Sequence, residues 1–192
     1  MMNSALTDKE LINQFIQGKE IALEGLISRH KEKVYTQIMM FVKDRSLADD
    51  IFQDTFIKVI KTLRSGTYTD EGKFGPWVAR IAYNLCVDHF RKSKRNPSIS
   101  GNDDFDIFDV IQLTDENIED KITRDETNSK VRQLIDALPE EQKQVVILRH
   151  FSEMSFKEIS EITGVSINTA LGRMRYALIN MRKTIDEKQI NI

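Results

Sequence analysis

The sequence predicts an all-α protein: two small helical domains joined by an acidic linker, with a helix-turn-helix in the C-terminal domain. Apolar residues recur at helical spacing along most of the 192 residues, and only three Pro and eight Gly interrupt them. Between the two periodic blocks, residues 96–126 contain ten acidic and two basic side chains. We therefore predict an N-terminal domain over 1–95, a linker over 96–126 and a C-terminal domain over 127–192.

The charge of the chain is segregated, although its formal net value is only −2. Residues 1–95 carry 16 basic and 12 acidic side chains, and residues 127–192 carry 10 and 8. Two mildly basic blocks around an acidic segment indicate two domains that face nucleic acid. No apolar run approaches the roughly 18 residues of a membrane helix, and no signal peptide is evident. We expect a cytoplasmic protein without membrane insertion.

The first helix is marked by a capping box, Thr7 followed by Glu10, and Gly18 is placed to end it. A longer amphipathic pattern follows, and His30 lies within it. No second His, Cys or carboxylate pair stands at ligand spacing from His30, and Cys86 is the only cysteine. The sequence therefore predicts no metal site, and it predicts a core position for Cys86.

The next helix is predicted over 48–63 and has two unlike sides. Its predicted core positions, at steps of four, three and four, are Phe52, Phe56, Val59 and Leu63. The opposite side presents Asp50, Gln53 and Asp54. Acidic residues in a first turn are sufficiently explained by the helix dipole. They also suit a basic partner surface, beside which Ile57 and Ile60 would be apolar contacts.

The stretch 74–95 combines aromatic residues at its start with a basic cluster at its end. An apolar stripe is predicted at Phe74, Trp77, Val78, Ile81 and Leu85. A second, polar face is predicted at Arg80, Asn84, Asp88, Arg91 and Arg95. From Lys73 to Arg95 there are six basic residues and one acidic residue. An ordinary core helix and a nucleic-acid surface both fit this pattern, and Trp77 fits either role.

The linker carries isolated apolar residues, which are Ile99, Phe105, Ile107, Phe108, Val110 and Ile111. They are too many for a solvated tether, so we expect this segment to order on a partner. Its acidic charge argues against contact with DNA phosphates, but a place in a basic channel made for nucleic acid stays open.

The C-terminal block has the layout of a helix-turn-helix. Ser155 and Glu158 form a second capping box, Gly164 suits the turn, and Ser166 can cap the last helix. The apolar positions of that helix are Ala170, Met174, Ala177, Leu178 and Met181. The predicted outward positions are Asn168, Thr169, Gly172, Arg173 and Arg175. A plain helical hairpin is the structural alternative.

Three motifs together resemble the extracytoplasmic function (ECF) sigma factors of bacterial RNA polymerase. The helix with Ala48, Asp50, Gln53, Asp54 and Phe56 resembles the polymerase-binding helix of that family. The segment from Phe74 to Asn84, with Asp88 and Arg91, resembles its promoter-melting segment. The C-terminal block resembles its DNA-reading domain but departs from it at Leu171, Gly172 and Tyr176.

The resemblance implies a dissociable initiation subunit that binds core RNA polymerase and recognises two promoter elements. The implied polymerase-binding residues are Asp50, Gln53, Asp54 and Ile57. The implied contacts to the opened promoter are Phe74, Trp77, Arg80 and Asn84, with Arg91, Lys92, Lys94 and Arg95 on phosphates. The implied duplex-reading residues are Ser166, Asn168, Thr169, Arg173 and Arg175. An anti-sigma factor is a further partner that the family suggests.

Two other functions remain open at the level of sequence. A stand-alone helix-turn-helix regulator would bind duplex DNA tightly without polymerase. An enzyme is poorly supported, because His30, His89 and His150 are dispersed and no Gly-rich phosphate loop is present. We therefore expect no catalytic residues, no cofactor and no metal.

Overall fold

The structure, a computed structural model, describes residues 6–69, 72–95 and 129–189, which fall into two compact units. All regular elements in these residues are helices, so the predicted all-α class is confirmed there. The division into two units follows contacts that separate Met1–Phe105 from Asp106–Ile192. The predicted linker over 96–126 and its apolar residues lie outside the described residues.

In the described residues of the N-terminal unit there are four helices: α1 (Asp8–Ile16), α2 (Glu20–Val42), α3 (Arg45–Arg64) and α4 (Phe74–Arg95). The long helix α2 packs against each of the other three. The apolar side chains that are buried completely in this unit are Leu26, Ile38, Ala48, Val59, Leu63, Val78 and Ala82. At about 25 cal/mol per Å² of apolar area, such a core is the main source of stability.

Local sequence signals set the helix boundaries. In the capping box of α1, the Glu10 carboxylate accepts the Thr7 N–H at 2.7 Å and the Thr7 hydroxyl accepts the Glu10 N–H at 3.3 Å. Gly18 follows with φ of +92°, a conformation that a side chain disfavours. The Asp44 carboxylate caps α3 by accepting the Leu47 N–H at 3.0 Å. The third helix therefore begins before residue 48, where we had predicted its start.

The core stripes of α3 and α4 differ from the predicted ones. In α4, Phe74 and Val78 are buried as predicted, but Ile81 and Leu85 are only half-buried. Their place in the core is taken by residues that are small or polar at one end, namely Ala79, Ala82, Tyr83 and Cys86. In α3, Phe52 is likewise half-buried, and Ala48, Ile51 and Thr55 are buried instead. Alanines allow close helix contact: the Gln37 side chain of α2 donates a hydrogen bond to the Ala79 carbonyl at 3.0 Å.

The C-terminal unit contains α5 (described over 129–136), α6 (Glu140–Val146), α7 (Phe156–Thr163) and α8 (Ile167–Lys188). Helix α6 continues directly into a π-helical turn, Ile147–Phe151. Helix α8 packs against α6 and α7. The largest fully buried side chains of this unit are Leu134, Ile135, Ile147, Leu148, Met154 and Ile159.

Helices α7 and α8 form the predicted helix-turn-helix. The Ser155–Glu158 capping box opens α7, with the Glu158 carboxylate 2.7 Å from the Ser155 N–H. Gly164 then adopts a left-handed conformation with φ of +70°, and the Ser166 hydroxyl accepts the Thr169 N–H at 3.0 Å to cap α8. The predicted faces of α8 are only partly confirmed. Ala170 and Ala177 are buried, but Leu178 is exposed and Met174 and Met181 are half-buried. Of the predicted outward positions, Gly172 and Arg173 are half-buried.

Candidate polymerase and nucleic-acid interfaces

One exposed face of α4 brings together most of the residues predicted to contact the promoter. Arg80, Asn84, Asp88 and Arg91 are all exposed and recur at steps of four, four and three. Trp77 stands three residues before Arg80, so it belongs to the same face, and it is half-buried. The face therefore runs from an aromatic end to a basic end over about four helical turns.

The aromatic end is built in two layers. Phe74 forms the inner layer, because only 2% of its surface is exposed. Trp77 and Tyr68 form the outer layer, with ring centroids 4.4 Å apart, and the Trp77 ring is 5.7 Å from Phe74. Aromatic pairs at such distances attract beyond simple burial. The inner position of Phe74 favours support of the Trp77 ring over direct contact with DNA.

Sequence reasoning missed Tyr68. This residue lies in the turn after α3, half-buried, and its ring also meets Phe74 edge-on at 6.0 Å. The available signal was a single aromatic residue in a loop of Ser, Gly and Thr, because binding residues are disproportionately found on loops.

The basic end of α4 is open to solvent. Arg91, Lys92 and Lys94 are exposed, and Arg95 belongs to the helix although its side chain is not described. The Arg91 guanidinium is 4.0 Å from the Asp88 carboxylate in an exposed pair. Pairs of this kind contribute little to stability. Arg91 therefore keeps its positive charge available at small energetic cost.

The predicted polymerase-binding residues share one face of α3. Asp50, Gln53 and Asp54 are exposed, and 46% of the Ile57 surface is accessible. Their spacing of three, one and three places them side by side on the helix. Since α3 begins at Arg45, it has no acidic residue in its first turn. The helix dipole acts mainly within that turn, so it does not account for Asp50 and Asp54.

The helix-turn-helix presents most of its predicted reading residues at the start of α8. Ser166, Asn168, Thr169 and Arg175 are exposed, and Arg173 is half-buried. The hydroxyl oxygens of Ser166 and Thr169 are 2.9 Å apart, so both already take part in the helix cap. Several large apolar residues of α8 are also exposed, namely Ile167, Leu171, Tyr176, Leu178 and Ile179. Leu171 and Tyr176 are two of the positions at which the sequence departs from the ECF pattern.

Sites for metals and for covalent chemistry are not evident in the part of the chain that the structure describes. No group of three His, Cys, Asp or Glu side chains is arranged there to hold a metal ion. Burial raises the pKa of the Cys86 thiol from 9.0 to about 12, so this thiol stays protonated near neutral pH. Within the same residues, no helix is both long enough and apolar enough to cross a membrane.

Two family models match the chain in the regions just described. Sigma-70 region 2 matches residues 26–96, and Sigma-70, region 4 matches residues 129–175. The RNA polymerase sigma-H factor of Pseudomonas aeruginosa is 29% identical over 184 residues, covering 94% of this chain and 92% of that protein. The ECF RNA polymerase sigma factor SigW of Bacillus subtilis is 26% identical over 181 residues, covering 92% and 96%. The chain is an ECF sigma factor of the sigma-70 family.

This sigma factor also shares its fold with solved relatives of low sequence identity. The structure of CnrH in complex with the cytosolic domain of CnrY has a TM-score of 0.61 and 20% identity, covering 94% of this chain and 97% of CnrH. The sigma factor RpoE from Bartonella quintana, in complex with the anti-sigma factor NepR, has a TM-score of 0.63 and 15% identity, covering 85% and 96%.

Family membership fixes the general function. The sigma factor directs promoter-specific transcription initiation, and its partners are core RNA polymerase and promoter DNA. Sigma factors are initiation factors and not enzymes. The match to region 2 lies in the N-terminal unit, so a stand-alone helix-turn-helix regulator is not favoured.

Proposed function

We propose that the two units of this sigma factor have separate tasks in initiation. The N-terminal unit binds core RNA polymerase and opens the promoter at its minus-10 element, and the helix-turn-helix reads duplex DNA at the minus-35 element. The observation that carries this proposal is the pair of unlike faces on α3 and α4. One is acidic and apolar, around Asp50 and Ile57, and the other is aromatic and basic, from Trp77 to Lys94.

The α3 face is suited to a protein partner. Asp50 and Asp54 supply charge for orientation, and Ile57 supplies apolar area beside them. Charged residues that surround an exposed apolar side chain are typical of protein interfaces, where complementary charge steers association. We assign this face to core RNA polymerase.

The α4 face is suited to an opened DNA strand. Single-stranded bases stack on aromatic rings, and their exposed edges form hydrogen bonds. Trp77 supplies the ring, with Tyr68 beside it, while Arg80 and Asn84 supply polar groups one and two turns further on. Arg91, Lys92, Lys94 and Arg95 follow as phosphate contacts, which give affinity rather than sequence choice.

In the C-terminal unit, α8 is the helix that enters the major groove. Its first turns carry Asn168, Thr169 and Arg175 at the surface, and residues early in a recognition helix are those that reach base edges. Ser166 precedes them, and the half-buried Arg173 lies between Thr169 and Arg175. Leu171 and Tyr176 are exposed on the same helix, so apolar contacts such as those to thymine methyl groups belong to its reading surface.

Pull-down of core RNA polymerase with the full chain, followed by run-off transcription, tests the proposal. The template is a promoter fragment that the reconstituted holoenzyme selects from a randomised duplex library. We expect core binding and transcripts that depend on the sigma factor. Tight binding to the selected duplex without retention of polymerase would instead indicate a stand-alone regulator.

The polymerase assignment makes a first prediction. Replacing Asp50 and Asp54 together by Lys should abolish retention of core polymerase, because it reverses the charge of the α3 face. Helical content should remain unchanged, since both side chains are exposed. The matched control is Glu24→Lys with Glu32→Lys, which reverses two exposed charges on α2. Core retention by the α3 variant at the level of the control would show that this assignment is wrong.

We also propose an anti-sigma factor as a partner, and a cytoplasmic location. Bartonella quintana RpoE, which shares this fold, is solved in complex with the anti-sigma factor NepR, and CnrH is solved in complex with the cytosolic domain of CnrY. On this chain, the exposed apolar side chains of α8 supply area for a protein contact. The location follows from the partners, because core RNA polymerase and promoter DNA are cytoplasmic in bacteria.

A further inference from the structure

His30 joins α1 to the first turn of α4. Its Nε2 atom is 2.8 Å from an oxygen of the Asp8 carboxylate, and its ring meets the Phe74 ring edge-on with centroids 5.2 Å apart. Only 14% of the His30 side chain is exposed. An ionised carboxylate can only accept a hydrogen bond, so Nε2 carries the hydrogen and the ring orientation is fixed.

Asp8 is itself held firmly. It is the first residue of α1, where the helix dipole favours a negative charge. The Arg29 guanidinium pairs with the other Asp8 oxygen and also donates to the Leu6 carbonyl at 2.8 Å. Two consecutive residues of α2, Arg29 and His30, therefore hold the same carboxylate at the start of α1.

Gly75 allows the His30 ring to lie against α4. A Cβ atom at position 75 would be 3.3 Å from both Cε1 and Nδ1 of His30, which is closer than most carbon contacts in proteins. An alanine at this position would therefore displace the ring or the helix turn by a few tenths of an ångström. The position of His30 and the absence of a side chain at residue 75 depend on each other.

The same turn supports the outer aromatic layer. Phe74 is in contact with His30 on one side and is 5.7 Å from the Trp77 ring on the other. A continuous series of packed groups thus runs from Asp8 through His30 and Phe74 to Trp77. Asp8 lies before the matched region 26–96, so the series begins outside the part that the family model covers.

We propose that Asp8 and His30 are positioning residues for promoter opening. They hold the first turn of α4, and through Phe74 they hold the Trp77 ring, in the geometry that receives an opened strand. This inference rests on the function proposed for the α4 face. A binding surface that is displaced by a fraction of an ångström loses activity without loss of fold.

The test is a double-substitution cycle at Gly75 and His30. Holoenzymes are formed from the full chain and core RNA polymerase, and opening of the selected promoter is measured by permanganate reactivity. We expect Gly75→Ala and His30→Ala each to reduce the opening rate about fivefold, and the double variant to lose about fivefold rather than the product of the two losses. Asp8→Ala should match His30→Ala, while Asp8→Asn, which keeps an acceptor oxygen, should restore opening to within about twofold.

The matched control is Gly25→Ala on α2. A Cβ at that position would meet Leu11 atoms at 3.5 and 3.6 Å, an ordinary contact, so opening should stay at the wild-type rate. Circular dichroism and core retention are measured for every variant, to separate positioning from folding and from polymerase binding.

Each outcome has a definite meaning. Failure of the wild-type holoenzyme to open DNA would contradict the proposed function itself. Wild-type opening together with unaffected Gly75→Ala and His30→Ala variants would overturn only the positioning role. Losses that multiply in the double variant would also overturn it, because they would show that the two residues act independently.

Discussion

Phe74 and Trp77 are one helical turn apart in α4, yet their surroundings assign them different tasks. Phe74 is enclosed by His30, Tyr68 and Trp77, and its ring is inaccessible to a base. Trp77 is the half-buried member of the same cluster and lies about one helical turn before Arg80. Burial decides whether an aromatic residue supports a neighbouring ring or is open to a base. The positions of aromatic residues in the sequence do not give their burial.

The two residues should respond differently to truncation. Phe74→Ala removes a buried ring and should lower the free energy of unfolding by about 3–5 kcal/mol. Trp77→Ala should cost less than half as much, because its side chain is half-buried, but it should reduce promoter opening by the holoenzyme. Urea denaturation followed by circular dichroism measures the first effect, and permanganate reactivity measures the second. Equal losses of stability in both variants would contradict the two-layer arrangement.

On α3 and α4, the buried residues and the exposed residues lie on separate sides of the helix. In α4, the buried line of Val78, Ala82 and Cys86 is opposite the exposed line of Arg80, Asn84 and Arg91. In α3, the exposed acidic residues stand beyond the first turn. One helix can therefore pack into the core and present an exposed face at the same time, because the direction of the buried side chains sets the direction of the exposed ones.

The basic end of α4 gives a prediction about salt. Alanine at Arg91, Lys92 or Lys94 should each lower the slope of log affinity against log salt by about one, because each neutralised phosphate releases about one counterion. Lys19→Ala is the control, since Lys19 is an exposed cation at the start of α2 and belongs to neither the α3 face nor the α4 face. Filter binding of the holoenzyme to the selected promoter at several salt concentrations gives the slopes. A slope that does not change would remove that residue from the phosphate contacts.

Substitutions of Ser166, the cap of α8, distinguish an effect on stability from an effect on DNA binding. Ser166→Ala should lower the free energy of unfolding of the full chain by about 1 kcal/mol, whereas Ser166→Asp should preserve it, because Asp caps helices as well as Ser does. The aspartate should nevertheless weaken duplex binding, since its charge would oppose the DNA phosphates. Thermal unfolding and binding to the selected duplex measure the two effects. Unchanged binding by Ser166→Asp would place this residue away from DNA.

Signals that are local in the sequence made the positions of the helices predictable. Which side of each helix is buried was less predictable. The Thr7 and Ser155 capping boxes and the Gly164 turn depend on neighbours in sequence, and all three are confirmed. Ile81 and Leu85 were assigned to the core because they are large and apolar, and both are only half-buried. Alanine lines such as Ala79 and Ala82 permit close helix approach but give almost no hydrophobic signal. The π-helical turn at Ile147–Phe151 likewise had no sequence pattern that we could read.

The candidate site was predictable to the extent that it depends on one helix face. Asp50, Gln53, Asp54 and Ile57 are exposed side by side, as their spacing predicts. The contacts between side chains of different elements were not predictable from the sequence. The Tyr68 contact with Trp77 and the Asp8 contact with His30 connect residues that no local pattern relates.

For the whole molecule, the energetic balance explains why polymerase is needed. Opening a duplex costs roughly 1.4 kcal/mol per step on average, while stacking on an aromatic residue returns about 1–3 kcal/mol per base. Beside the polar groups of the α4 face stands a half-buried aromatic pair, Tyr68 and Trp77. This pair can hold one or two bases and not a transcription bubble.

The free chain should therefore open little DNA. Permanganate reactivity of the selected promoter should stay near background with the sigma factor alone and should rise when core polymerase is added. The physical reason is that polymerase supplies the remaining contacts to both strands. A Trp77→Ala holoenzyme serves as the control for specificity. Strong reactivity with the free chain would show that the energetic argument is wrong.

The close approach of Gly75 to the His30 ring also limits how this protein can change during evolution. A larger residue at position 75 fits without displacement of the neighbouring ring only if the residue at position 30 becomes smaller, so substitutions at the two sites should be correlated among relatives. Positions 30 and 75 are far apart in the chain and belong to different helices. Correlated substitutions at these two positions would reveal, from sequences alone, the contact between α2 and the first turn of α4.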